Sequence, residues 1–316
     1  MFEKKSRVDQ SLFVVGVWVL LICSVAGFLS GISWFFDLFN HFRPQAVVVA
    51  SVLALVLSFY RSWRYVLLSL AIVSLNLAVI GASILIIHDS STIDVGPYKK
   101  TVTLISSNVL TSNPQVQAVI DMVFEHSPDI FIAVEVDGFW VQKLSALEAN
   151  YPYFITHPRN DNFGMAIYSK FPFEGHFELQ GFYDLPIGVA DFGDFSVLAV
   201  HSPPPVSGEY SEELSSYISS LLKLARSSKV PVVMAGDFNT TLWSDFCKPI
   251  LERGFMPAGP YGLAWSYPVE NHLFAIQIDH IFGRDVVFEG TRTLENVGSD
   301  HYPIYSKINI PEVFVP

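Results

Sequence analysis

Three nearly uncharged runs, residues 11–36, 44–60 and 65–87, gather the apolar excess of this 316-residue chain ahead of residue 90. Of all side chains, 51% are hydrophobic, which is high for a water-soluble domain of this size. About 20 consecutive apolar residues cross the hydrocarbon core of a bilayer, so the runs predict three transmembrane helices. A cleaved signal peptide fits less well, because its apolar region is short and the first run here continues past that length and is followed by two more. The second run is the shortest and opens at Pro44. Residues 1–88 then form a membrane domain, and 89–100, with Ser90, Ser91, Gly96 and Pro97, a linker. Residues 101–316 form a domain outside the membrane.

Positive residues flanking membrane helices are retained in the cytoplasm. Lys4, Lys5 and Arg7 precede the first run, and Arg61 and Arg64 separate the second from the third, while the 34–45 connection offers only Arg43 beside Asp37. Residues 1–10 and 61–64 are therefore expected inside. Three spans deliver everything after residue 88 to the other face, even with Lys99 and Lys100 near the exit. The expected location is the inner membrane of a bacterium, with the large domain in the periplasm.

Lys and Arg divide as 6 before residue 88 and 13 after it, and Asp and Glu as 3 and 27, which leaves the large domain near −14. Phosphate neutralisation supplies most non-specific nucleic-acid affinity, and no basic footprint is present. This argues against a processive or sequence-reading nucleic-acid enzyme, although a divalent metal can supply local positive charge. Cys23 falls in the first run and Cys247 in the large domain, so no disulfide forms within that domain, and neither cysteine has metal-ligand spacing.

Beyond the linker, alternating apolar runs predict strands at 101–107, 129–134, 164–169, 176–180, 187–192, 195–201, 230–236, 273–282, 286–293 and 302–309. Helices are predicted at 114–126, introduced by Asn113-Pro114, and at 138–149, 209–228 and 241–253. Phe-Gly-Asp-Phe (192–195) between two apolar segments marks an antiparallel hairpin. The pattern suits two mixed sheets packed face to face with helices outside, a four-layer α/β sandwich. A Rossmann sheet would want a glycine-rich loop after its first strand, and Ser-Ser-Asn-Val-Leu (106–110) has none.

Polar residues gather at predicted strand ends: Asn108, Glu135, His201, Asp237, Asn239, Asp279, Asp300 and His301. Oxygen donors dominate, which favours Mg²⁺ or Mn²⁺ over zinc. His280 follows Asp279 directly, so strand alternation points it to the opposite face as a structural residue. His126, His157, His176 and His272 lack motif context and read as surface or packing residues.

From Ser-Asn-Val (107–109) onward the chain resembles the endonuclease/exonuclease/phosphatase superfamily, which includes DNase I-like nucleases, neutral sphingomyelinases and inositol polyphosphate 5-phosphatases. The resemblance covers about 101–310. It runs in order through Glu135, Gly-Met-Ala-Ile-Tyr-Ser-Lys-Phe-Pro (164–172), His201, Gly-Asp-Phe-Asn (236–239), Trp265, Ile-Asp-His-Ile (278–281) and Ser-Asp-His (299–301). It implies that Asn108, Glu135 and Asp300 surround a metal, that Asp237 orients or deprotonates the attacking water, and that Asn239 holds a phosphate oxygen. It further implies that His301 pairs with Asp279 and that His201 faces the scissile phosphate. Trp265 departs from the pattern, since Ala264 stands where the family often has a hydroxyl residue.

The combined expectation is a membrane-anchored, Mg²⁺- or Mn²⁺-dependent phosphoesterase using in-line water attack, without a covalent intermediate. Tethering raises the effective concentration of lipid-borne phosphate, so lipid substrates are favoured, with Phe182, Tyr183, Leu185 and Pro203–Pro205 as candidate lipid contacts. The alternatives are an extracytoplasmic nuclease, with DNA or RNA as substrate only, and a non-catalytic binding module of the same fold.

Overall fold

The computed structural model describes residues 2–90, 98–259 and 264–312. In chain order it contains α1 (Phe2–Ala26), α2 (Trp34–Asp37), α3 (Arg43–Phe59), α4 (Trp63–Ser90), β1 (Tyr98–Asn108), α5 (Val116–His126), β2 (Ile130–Val134), α6 (Gly138–Leu144), β3 (Tyr153–His157), β4 (Met165–Ser169), β5 (Glu174–Gln180), β6 (Leu185–Asp191), β7 (Ser196–His201), α7 (Gly208–Ser227), β8 (Val232–Asp237), α8 (Lys248–Glu252), β9 (Met256–Pro257), β10 (Asp279–Arg284), β11 (Val287–Thr293) and β12 (Ile304–Pro311). The linker expected at 89–100 falls largely on 91–97, outside the described residues.

Two six-stranded sheets, ordered β11-β12-β1-β2-β4-β3 and β5-β6-β7-β8-β10-β9, form the large domain. Each holds one parallel pair, β1–β2 and β7–β8, among antiparallel neighbours. Their inner faces meet through Leu104, Ile132 and Ile167 from one sheet and Val197, Ala199 and Val233 from the other, all fully buried. Helix α7 covers the outer face of the second sheet through Leu214, Tyr217 and Leu221, while α5 and α6 cover the first through Val119, Val123 and Trp140. This is the expected four-layer sandwich. The 192–195 hairpin joins β6 to β7, with Gly193 at φ +83° as the turn requires.

Among the described residues, three helices are long and apolar enough to cross a membrane, within Gln10–Leu29, Trp34–Phe59 and Trp63–Leu85. Their outward residues, such as Leu12, Ile22, Leu55 and Leu67, are 60–70% exposed, a surface suited to lipid rather than water. The first helix ends at Ala26, ten residues before the apolar run does. At Gly27 an added Cβ would lie 2.3 Å from Asn40 Oδ1, so glycine lets the connection fold back against the helix end. Asn40 donates to the Gly27 carbonyl at 3.2 Å.

That connection docks on the large domain. Asp37 accepts from Ser244 Oγ at 2.6 Å and from the Asp245 amide at 3.0 Å. Ser30 donates to Asp245 at 2.5 Å, and Gln45 Nε2 to the Ala275 carbonyl at 2.6 Å. Arg43, expected in a loop, is buried and donates to Asn40 and Asn76. The 60–62 turn, which Gln10 contacts through Ser62, lies at the far end of α3, about 25 Å away at 1.5 Å per residue.

Local differences from the sequence reading have physical causes. Residues 241–253 yield only the short helix α8, because 240–247 turn to meet Asp37 and His41. Residues 273–278 make a single bridge, Tyr267 to Ile276, rather than a strand. Strand β3 carries no strand signal in the sequence because it is an edge strand whose Tyr153 and Phe154 are both 40% exposed, so its pattern lacks a buried face. Helix α5 begins at Val116, two residues later than expected, since Asn113 Oδ1 instead caps a turn at the Gln115 amide, 2.8 Å away.

Candidate active site

Strand register brings the polar residues to one end of both sheets. Asn108 closes β1 opposite Val134, whose successor is Glu135. His201 closes β7 opposite Asp237, and Asp237 also faces Asp279 at the start of antiparallel β10. Asp300 and His301 precede β12, which runs antiparallel to β1. All eight side chains expected from sequence therefore converge.

Gly236 explains how Asp237 reaches this position. At φ +150°, an added Cβ would sit 1.8 Å from the Val200 carbonyl oxygen, so only glycine allows the close approach of β7 and β8 just before the carboxylate. Glu135 (φ +65°) and Asn239 (φ +48°) lie in the left-handed region, which non-glycine residues occupy seldom and asparagine more readily than most. Both are held by neighbours: Thr111 Oγ1 donates to the Glu135 carbonyl at 2.9 Å, and the Asn239 amide donates to Asp237 Oδ1 at 2.8 Å.

Asp237 is the centre. Asn108 Nδ2 donates to its Oδ2 at 3.2 Å and to Glu135 Oε1 at 2.9 Å. His201 Nε2 and His301 Nε2 each lie 3.8 Å from the same Asp237 Oδ2. His301 Nδ1 is 2.7 Å from Asp279 Oδ2. Asn239 spends one amide hydrogen on the Ser202 carbonyl at 2.8 Å, which leaves the rest of its carboxamide facing the cavity. The cavity, about 620 Å³, is lined by Glu135, His201, Asp237, Asn239, Asp300 and His301 among others.

The electrostatics separate the two histidines. Burial alone would depress the His301 pKa, but Asp279, Asp237, Asp300 and the Asp279 hydrogen bond outweigh it and raise it to about 10. His201 is pushed down to about 4, chiefly by burial and then by the His301 charge. At neutral pH one ring is cationic and the other neutral, a division that suits acid and base roles. Burial, then the Asp279 charge, raises Asp237 to about 7 against the opposing pull of His301. Burial likewise raises Glu135.

Asp237, Asp279 and His301 also offer donor atoms within 4.8 Å of one another. The short His301–Asp279 bond marks that pair as a charge-assisted hydrogen bond. Glu135 and Asp300 line the same cavity, and Asn108 meets it through the Nδ2 that bridges Glu135 and Asp237; the Asp300 charge adds to the rise of the Glu135 pKa, and the Asp279 charge to that of Asp237. Such a donor set fits a hard divalent cation.

His280 turns away as expected: its Nε2 meets the Thr240 carbonyl at 2.9 Å on the opposite face. Leu185 is fully buried, so it cannot touch lipid, because β6 carries it into the core under α7. Trp265 is 41% exposed and outside the cavity lining; Tyr267 lines it instead, with its ring 4.6 Å from that of His301. Tyr267, Phe163 (5.0 Å from the His201 ring) and Asp161 also line the cavity and belong to none of the sequence motifs. Position two residues beyond Trp265, on the same side of an extended segment, was the available signal for Tyr267. Leu38, His41 and Phe42, from the connection between the first two long helices, also line the cavity.

Comparisons with known proteins agree with this geometry. The humanized TDP2 of D. rerio carrying 14 mutations has TM-score 0.56 at 18% identity, covering 66% of this chain and 99% of that one. D. rerio TDP2 complexed with a single strand DNA product has TM-score 0.55 at 16% identity, covering 67% and 100%. A functionally unknown conserved protein from Enterococcus faecalis V583 has TM-score 0.53 at 15% identity, covering 66% and 99%. These likenesses are of fold. A UPF0294 protein of Vibrio campbellii (strain ATCC BAA-1116) is 27% identical over 94 residues, 29% of this chain, so the match spans about a third (33%) of that relative's length. The Endonuclease/Exonuclease/phosphatase family profile matches residues 105–301, from the middle of β1 to His301 itself. The chain belongs to that family and is a hydrolase of phosphate ester bonds.

Proposed function

We propose that the protein is a membrane-anchored, divalent-metal-dependent phosphoesterase that hydrolyses a lipid-borne phosphate on the extracytoplasmic face. The observation that carries the lipid preference is the wall of the cavity formed by Leu38, His41 and Phe42, which lie between α1 and α3 at the start of the second candidate span. A substrate phosphate lying in this cavity sits beside the membrane layer. The net charge near −14 beyond residue 88 supports a small polar headgroup over a long polyanion.

Asn108, Glu135 and Asp300 would hold Mg²⁺ or Mn²⁺, and a bound divalent ion draws charge from the non-bridging oxygens of a phosphate. Asp237 orients the attacking water and takes its proton; the Asn108 and Asn239 hydrogen bonds fix the carboxylate for this. His301, held cationic by Asp279, donates to the phosphate and stabilises charge on the departing oxygen. Neutral His201 faces the phosphate from the other sheet, and Asn239 binds a non-bridging oxygen. Water attacks phosphorus directly, so no covalent enzyme intermediate forms.

The mechanism is tested with bis(p-nitrophenyl) phosphate. Chelator-treated protein is expected to lose activity and to regain it with Mg²⁺ or Mn²⁺. Asp237→Ala is expected to lower kcat by about a hundredfold or more with unchanged thermal unfolding. Wild-type turnover by Asp237→Ala would sink the assignment of the base.

A further inference from the structure

A second cavity, about 300 Å³, opens among the candidate membrane helices and shares Phe42 with the catalytic one. Leu20 and Cys23 of α1, Ala46 and Val49 of α3, and Phe39 and Phe274 form its apolar lining. Phe42 borders both cavities. Two stretches build the shared wall. One is the connection ending in α3, which gives Leu38 and His41 to the catalytic cavity and Gln45 and Ala46 to the groove. The other is the 274–276 segment, which gives Ile276 to the first and Phe274 to the second. Gln45 ties the two together through the Ala275 carbonyl, and the Phe42 and Phe274 rings meet edge to face at 6.5 Å.

From this shared wall we propose that the two cavities are one substrate site, in which the hydrocarbon chain of a lipid phosphate ester lies in the α1–α3 groove and its phosphate reaches Asp237 past Phe42. The inference rests on the phosphoesterase reading above and adds where the chain binds and which residues select it. The groove lies in the half of the helix bundle nearest the catalytic domain, since it uses the end of α1 and the start of α3. Leu20, Cys23, Ala46 and Val49 all lie within segments apolar and long enough to cross a bilayer, and an apolar groove between such segments suits a lipid chain. The polar residues in the lining are already spoken for in part: Asn76 bonds Ser24 and Arg43. Gln45 Oε1, however, is buried with no hydrogen-bond partner. An unsatisfied buried acceptor is costly, and a hydroxyl or amide proton where headgroup joins chain would satisfy it. On the water side the rim continues apolar, with Pro204, Pro205 and the 61%-exposed Val206.

The test uses full-length protein in one detergent with a series of p-nitrophenyl phosphodiesters whose second ester is ethyl, octyl or hexadecyl. Leaving group and phosphate stay constant, so only the chain varies. The wild type is expected to show kcat/KM at least tenfold higher for the hexadecyl than for the ethyl ester. Ala46→Phe, which fills the groove, is expected to bring that ratio near one. Val49→Phe, at a more exposed groove position, is expected to do the same if the tighter Ala46 site resists folding. Leu67→Phe, on the outer face of α4, is expected to keep the wild-type ratio. Equal rates along the series, or an advantage that survives both groove variants, would overturn the proposal; the latter would mean that micelle partitioning alone favours the long chain. Failure to hydrolyse any member would overturn the phosphoesterase reading itself, and the groove assignment with it.

Discussion

His301 and His201 lie on either side of one Asp237 oxygen, each 3.8 Å away, yet their surroundings hold one as imidazolium and the other neutral. The pH dependence follows from the signs. Asp237, raised to about 7, must lose its proton to act, so kcat/KM rises through that region. His301, raised to about 10, must keep its proton, so activity falls as pH passes about 10. The expected profile is a bell. Added Mg²⁺ favours the ionised carboxylate and moves the acid limb downward. Asp279→Asn removes the first charge that holds the His301 proton and moves the alkaline limb toward neutrality; an unmoved limb would contradict the assignment. Much of this chemistry was legible in the sequence, because Asp-His and Gly-Asp-Phe-Asn stand next to glycines and strand ends. Tyr267, Phe163 and Asp161 were not, since their contacts with the site residues arise between segments far apart in the chain.

At the scale of elements, register decides function: β7, β8 and β10 align His201, Asp237 and Asp279, and a slip of one residue would turn Asp237 away from the site. Gly236 secures the close approach that this register needs. Gly236→Ala forces a Cβ against the Val200 carbonyl, and the expected cost is about 3 kcal/mol, or a fall in Tm of roughly 10 °C for a domain of this size. Thermal unfolding checks it, and an unchanged Tm would mean that β7 and β8 separate freely. Element types came through the sequence wherever burial was one-sided or complete, as in α7 and β8. They were lost where tertiary contact overrode propensity, as at 241–247, or where an edge strand lacked an apolar face, as in β3.

For the whole molecule, the helices are joined to the catalytic domain by more than a tether. Asp37 accepts from Ser244, Asp245 and Asn40 at a buried junction, and Leu38, His41 and Phe42 follow it directly into the cavity wall. Asp37→Ala leaves those donors without their acceptor, a loss of about 2 kcal/mol. Lower Tm of the full-length protein and faster proteolysis between the two parts are the expected outcomes, and neither change would show that the junction is ornamental. Three apolar helices and a sandwich were legible in hydropathy and strand patterning. Their contact was not, because Asp37, Asn40 and Arg43 resemble any short polar connection until Ser244 and Asn76 are seen across from them.

The lipid-phosphoesterase assignment is tested by giving the full-length enzyme with Mg²⁺, beside His301→Ala, mixed phospholipid and lipid-pyrophosphate micelles, double- and single-stranded DNA, and RNA at low and high salt. The expected result is His301-dependent release of phosphate product from lipid, sensitive to detergent dilution and little affected by salt. His301-dependent, salt-suppressed cleavage of nucleic acid with lipid left intact would contradict it.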